Sequence, residues 1–144
     1  MNEINLTNAY VQRVKDFKKS KLKIPILDIK DLDQFPFILV IQAVIENNIK
    51  LSIYPLKEGK ITKVSLSGFN LSDENFQELT RILRERKVIH TSGVILIHQR
   101  LFYECYLIVS ETEEKSKDLK TSFNKIKNIE EIKIEEIVLQ KHKK

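Results

Sequence analysis

Only three glycines, Gly59, Gly68 and Gly93, occur in the 144 residues, and no two are close together. A P-loop or a dinucleotide fingerprint needs clustered glycines so that the backbone can approach the phosphates, so nucleotide enzymes of those classes are excluded. The single cysteine, Cys105, rules out an internal disulfide. Long apolar runs are missing as well. The longest, "FPFILVIQAVI" from Phe35 to Ile45, falls well short of the roughly 20 residues that a bilayer demands and is interrupted by Pro36 and Gln42. It reads as core. Met1 to Lys23 contains no apolar stretch of the kind a secretory leader carries, and a cytoplasmic location is expected.

What remains is a chain built to fold. The hydrophobic fraction of 42% accompanies 31% charged residues, and the apolar residues are periodic, which argues against disorder. A single domain, 1–144, is expected, because two independent domains would each be short of buried surface. The net charge of +5 is concentrated at the ends. Arg13, Lys15, Lys18, Lys19, Lys21 and Lys23 face only Glu3 and Asp16 in the first 23 residues, and the tail at 140–144 adds Lys141, Lys143 and Lys144. Such a stripe can attract nucleic acid through a salt-sensitive field, or it can be a solvated helix face and a frayed tail.

Leu6, Tyr10, Val14 and Phe17 recur at helical spacing and predict an opening amphipathic helix. "LKIPILDI", Leu22 to Ile29, reads as a strand, at an edge because Pro25 cannot donate to a ladder. Asp31 or Asp33 would cap a helix through about Asn48, for which a buried strand is the competing reading. "IKLSIYPL" alternates, with Ile49, Leu51 and Ile53 on one face, and "KEGK" would turn it into "ITKVSLSGF" as a hairpin. Ser72 or Asp73 caps a helix with Phe76, Leu79, Ile82 and Leu83 as its stripe. Thr112 is the expected cap of a last helix carrying Leu119, Phe123 and Ile126, which stops at Asn128 before the strand "IEEIKIEEIVL".

The expected fold class is therefore α+β: a ferredoxin-like βαββαβ core over 60–139, extended by 1–59, which would form an N-terminal helix and an additional β-α-β unit. Within the core, "VILIHQRLFYECYLIV" reads as a hairpin turning at Gln99 and Arg100, with Val94 opposite Cys105, Leu96 opposite Tyr103 and His98 opposite Leu101. Both of its faces are apolar. One holds Val94, Leu96, Tyr103, Cys105, Leu107 and Val109, and the other holds Ile95, Ile97, Phe102, Glu104, Tyr106 and Ile108. Helices can cover only one face, so the second needs the N-terminal elements, a second copy or a ligand. Ile95, Ile97, Phe102, Tyr106 and Ile108 are the expected contact surface.

The element order and the segments "LFYECYLIV" and "KDLKTSFNKIKNIEEIKIEEIVL" resemble the ACT and RAM regulatory domains and the ligand-binding domain of nickel-responsive regulators. That resemblance implies a dimeric sensor with its ligand held between subunits. Where those regulators use a His-x-His pair, this chain has Leu96 and His98. On the hairpin register above, His98 and Cys105 lie roughly 13 Å apart, too far to share one metal. "KVSLSGFNLSDENFQEL" also resembles the first strand and helix of RNA-recognition motifs, which stack bases on sheet aromatics. Ser65 and Glu104 stand where two of those aromatics are expected, and Phe102 partly matches the third-strand motif.

No nucleophile, base and orienting carboxylate can be grouped from the sequence. The expectation is a non-enzymatic regulatory or protein-interaction module, homodimeric, able to take a protein partner or a small ligand, with no cofactor, no metal and no membrane span. The alternative is an RNA- or DNA-binding domain using the sheet together with Arg13, Lys15, Lys18, Lys19, Lys21 and Lys23.

Overall fold

The computed structural model of the chain describes residues 5–17, 34–109 and 116–139. The class is α+β with strands dominant, and the strands form two separate sheets. Two compact units result, one of Met1–Ile61 with Ile137–Lys144 and one of Thr62–Glu136.

In the first unit, β1 (Asn8–Arg13), the single helical turn α1 (Val14–Phe17), β2 (Phe37–Ile45) and β3 (Asn48–Leu56) build a three-stranded sheet in the order β1-β2-β3. Both pairings are antiparallel. Here the architecture departs from the expected helix and additional β-α-β unit. Residues 8–13 are extended, although Leu6, Tyr10, Val14 and Phe17 have helical spacing. Pairing with β2 outweighs that spacing, and Val11, off the helical stripe, becomes fully buried opposite Leu39. The segment expected to be a helix through Asn48 is β2, whose β-branched side chains suit a sheet buried on both faces. Its partner is the adjacent β3, reached through the two-residue turn Glu46–Asn47, with Glu46 at a φ of 50°. β3 therefore does not form a hairpin with the strand after Lys57–Lys60, which belongs to the other sheet. Val14, Ile38 and Val40, with Tyr10 and Ile53 against them, make one small core. The strand expected at Leu22 to Ile29, the caps Asp31 and Asp33, and Thr112 lie outside the described residues.

The second unit contains β4 (Lys60–Gly68), α2 (Asp73–Arg84), β5 (Lys87–Ile97), β6 (Arg100–Ile108), α3 (Ser116–Asn124) and β7 (Ile129–Val138), with β4 and β7 ending just across its boundary. Its four-stranded sheet has the order β5-β6-β4-β7, so the outer strands are the second and last in sequence. β6 is antiparallel to both β4 and β5. Gly68 at the end of β4 lies against Asn128 and Ile129 at the start of β7, and Leu139 N–H donates to the Gly59 carbonyl (2.9 Å) beyond the other end, so β7 also runs back along β4.

Both helices cover one face of this sheet. Leu79, Ile82 and Leu83 of α2, Leu119 and Phe123 of α3, and Ile126 just after it pack with Val64, Leu66, Cys105 and Leu107. α2 starts where its capping box forms: the Ser72 hydroxyl accepts from the Asn75 N–H (3.2 Å), and the Asn75 side chain accepts from the Ser72 N–H (2.9 Å). The hairpin turn is at His98–Gln99, not at Gln99–Arg100, with φ of 51° and 66° at the two residues. Positive φ at both central positions is the twist-matching turn for a two-residue hairpin. Val94 therefore faces Tyr103, and Leu96 faces Leu101. Because the pairing moves by two residues, each side chain keeps the face expected of it.

Candidate interaction surfaces

On the face of β4 and β6 away from the helices, Lys63 stands opposite Tyr106, Ser65 opposite Glu104 and Ser67 opposite Phe102. Lys63 Nζ lies 3.4 Å from Glu104 Oε1, with the two side chains 5% and 2% exposed. The ammonium also sits 6.0 Å from the centre of the Tyr106 ring, which meets His90 edge-on at 5.9 Å. The carboxylate is thus matched by an ammonium and held inside the protein, away from the surface. Nearer the turn, the Arg100 guanidinium lies over Phe69 (5.3 Å) and Phe102 (5.9 Å) and donates to the Ser67 hydroxyl (2.9 Å). Glu131 at 3.3 Å and Glu130 at 3.8 Å balance its charge. An arginine engaged this way fixes the ends of β4, β6 and β7 together.

β5 is irregular. Its register with β6 shifts between Val88 and His90 and again between Thr91 and Val94. At the second shift Gly93 takes a φ of 76°, and the Ser92 hydroxyl accepts from the Glu104 N–H (2.9 Å) while donating to the Gly93 carbonyl (2.7 Å). The bulge is thus stitched into the ladder rather than left open.

Of the expected contact residues, Tyr106 is fully buried, and Ile95, Ile97, Phe102 and Ile108 are half-buried. Large exposed side chains occur elsewhere. Val94 and Leu96 stand out at the tip of β5, with the opposite parity. A larger group lies at the β2–β3 turn: Val44 is 66% exposed, Ile49 65%, Ile45 55% and Leu51 43%. Val44 faces Ile49, and Gln42 faces Leu51, on the same side as buried Ile38 and Val40. The apolar face thus continues past the end of its core. Sequence reading missed this group. Its signal was the pair of polar residues Glu46 and Asn47 between two apolar runs, which marks a hairpin.

Arg13 and Lys15 are exposed; Lys18, Lys19, Lys21 and Lys23 lie outside the described residues. A shallow apolar depression, open to solvent and with an accessible volume of only about 10 Å³, lies among Leu71, Phe76, Val94, Leu101 and Phe102. It is below the usual size of a small-molecule site. Among the described residues no three His, Cys, Asp or Glu side chains are grouped to hold a metal, and no helix is long and apolar enough to cross a membrane.

Cys105 is fully buried, and its thiol is pushed up to about 12, first by burial and then by the Glu104 charge beside it. Burial likewise raises the Tyr103 hydroxyl to about 12, with the neighbouring Cys105 adding to the shift. A thiol held in its neutral form is a poor nucleophile. From its ordinary value of 9.0 up to about 12, only the unfolded chain releases the Cys105 proton, so stability falls as pH rises through that window and is unaffected by this group below it. Urea titrations above pH 9 should give a stability that declines by about 1.4 kcal/mol per pH unit more steeply than in Cys105→Ala. Equal slopes would mean that the thiol ionises within the fold.

Comparison with known proteins gives no match, either to a protein-family model or to a curated sequence. The fold and surfaces define a sheet-rich α+β protein with apolar hairpin ends.

Proposed function

We propose that this chain is a non-enzymatic interaction or regulatory module that works as a homodimer. The observation that carries this reading is the group Val44, Ile49 and Leu51, exposed together on one face of the hairpin end, with Ile45 exposed on the other. An apolar patch of this kind on a folded unit is a contact surface awaiting a partner. The buried Lys63–Glu104 pair and the buried Cys105 thiol add to it, because they hold a carboxylate, an ammonium and the chain's one thiol away from the surface.

The second unit carries the finer part of the proposal. Its strand order β5-β6-β4-β7, with α2 and α3 on one face, supports a ferredoxin-like βαββαβ unit of the kind used by ACT and RAM regulatory domains. The small volume of the depression beside Phe102 favours protein contact over a small ligand in that role. The nucleic-acid alternative draws little support from the sheet, where Glu104 is paired and buried and Arg100 is held by two glutamates.

Light scattering on a sizing column over about a hundredfold concentration range tests the reading, since a self-associating chain shifts toward the mass of two copies by mass action. The expected result is a two-chain mass at the upper concentrations. A one-chain mass throughout would overturn it.

A further inference from the structure

We infer that β3 is the edge along which a second copy of this chain pairs, antiparallel and centred on Leu51. The inference rests on the homodimer reading and adds its surface and register. β3 ends the sheet order β1-β2-β3 and, among the described residues, has β2 as its one strand neighbour. Its ladder with β2 runs without interruption from Phe37 and Leu56 to Ile45 and Asn48, whereas β5, an outer strand of the other sheet, is broken twice. Bulges blunt an edge, and a regular edge is a template that another strand can extend.

The two-residue turn Glu46–Asn47 decides which backbone groups point outward. The residues closing such a turn, Ile45 and Asn48, exchange both hydrogen bonds, and the pairs alternate from there. Asn48, Lys50, Ser52 and Tyr54 therefore turn their backbone groups toward β2, while Ile49, Leu51, Ile53 and Pro55 turn theirs to the outer edge. Pro55 has no N–H to give, so the strand can pair fully only over Ile49, Leu51 and Ile53.

A two-fold pairing must set outward residues against outward residues. Centred on Leu51, it places Leu51 against Leu51 of the second copy and Ile49 against Ile53, with about six backbone hydrogen bonds. Lys50 then comes opposite Ser52. Moving the centre to Lys50 would oppose two lysines at the closest spacing of the ladder. Moving it to Ser52 would set Ile49 against Pro55 and lose a donor. The strand's one charge and its proline thus select a single register. In that register Ile49, Leu51 and Ile53 of both copies share one face with Val44, which faces Ile49 across β2, and the apolar face that outruns its core in one chain continues into the next.

Because Leu51 meets itself, charge exchange at that position tests the register directly. Leu51→Lys and Leu51→Glu should each weaken dimerisation about tenfold or more, since like charges face each other. An equimolar mixture of the two should regain the two-chain mass in light scattering. Facing α-carbons about 5.5 Å apart suit a disulfide, so oxidised Leu51→Cys protein should become a covalent dimer. That cross-link decides the matter if either charged variant loses its circular-dichroism signature. A wild-type dimer unaffected by both charges and not cross-linked through residue 51 would remove the β3 edge and leave the homodimer reading standing. A wild-type monomer throughout would remove both.

Discussion

Glu104→Ala should destabilise the protein by about 3–5 kcal/mol, the cost of removing one member of a buried ion pair. The Lys63 ammonium, 3.4 Å from this carboxylate, is 5% exposed, so water cannot replace what the substitution takes away. The effect should appear in urea titration as a fall in midpoint with an unchanged slope, because the amount of surface exposed on unfolding stays nearly the same. Lys63→Met combined with Glu104→Leu should recover most of the loss, since matched apolar side chains avoid the desolvation that the pair must overcome. High salt should leave the pair's contribution nearly intact. The Arg81–Glu78 contact on α2, whose side chains are 58% and 41% exposed, should by contrast contribute little and be screened. A loss below about 1 kcal/mol for Glu104→Ala would place the buried pair among ordinary surface contacts.

The second unit was legible because its signals are local. Ser72 caps α2 as expected, and Leu79, Ile82 and Leu83 are the side chains that it buries. Leu119, Phe123 and Ile126 reach the core at the spacing read from the sequence. The hairpin turn was misplaced by one residue because His98 and Gln99 take positive φ without the glycine or asparagine that usually announces it. The first unit failed for a different reason. In β1 the same residues satisfy a helical spacing and a strand, and only the long-range pairing of Val11 with Leu39 separates them. In β2 burial of both faces removes the alternation that identifies a strand. Ile49 and Leu51 were read on one face correctly, yet their exposure depends on where the neighbouring core stops, which no local pattern encodes. The Lys63–Glu104 pair was hidden too, because it joins strands far apart in sequence.

Gly68→Ala should cost about 3 kcal/mol or more, at the upper end of what overpacking does. An added Cβ would stand 2.1 Å from the Asn128 carbonyl oxygen, 3.1 Å from its carbonyl carbon and 3.2 Å from the Ile129 Cα. These are backbone atoms, so no rotamer change can relieve the contact. Nor is Asn128 free to retreat, because its side-chain amide donates to the Asn70 carbonyl (3.3 Å) and to Asn75 Oδ1 (3.4 Å) while its backbone holds a φ of 72°. Relief therefore has to come from the start of β7 moving off β4, and hydrogen exchange should show faster amide exchange at the Ile129 end of β7 than in the wild type. Gly93→Ala provides the contrast. Nothing lies within 4 Å of its would-be Cβ, so only the left-handed φ of 76° opposes the substitution, at about 1–2 kcal/mol. If the two alanine variants were equally stable, close approach of β4 to the β7 entry could not be what selects glycine at position 68. The expected order, Gly68→Ala well below Gly93→Ala, would instead tie closure of this sheet edge to the absence of one methyl group.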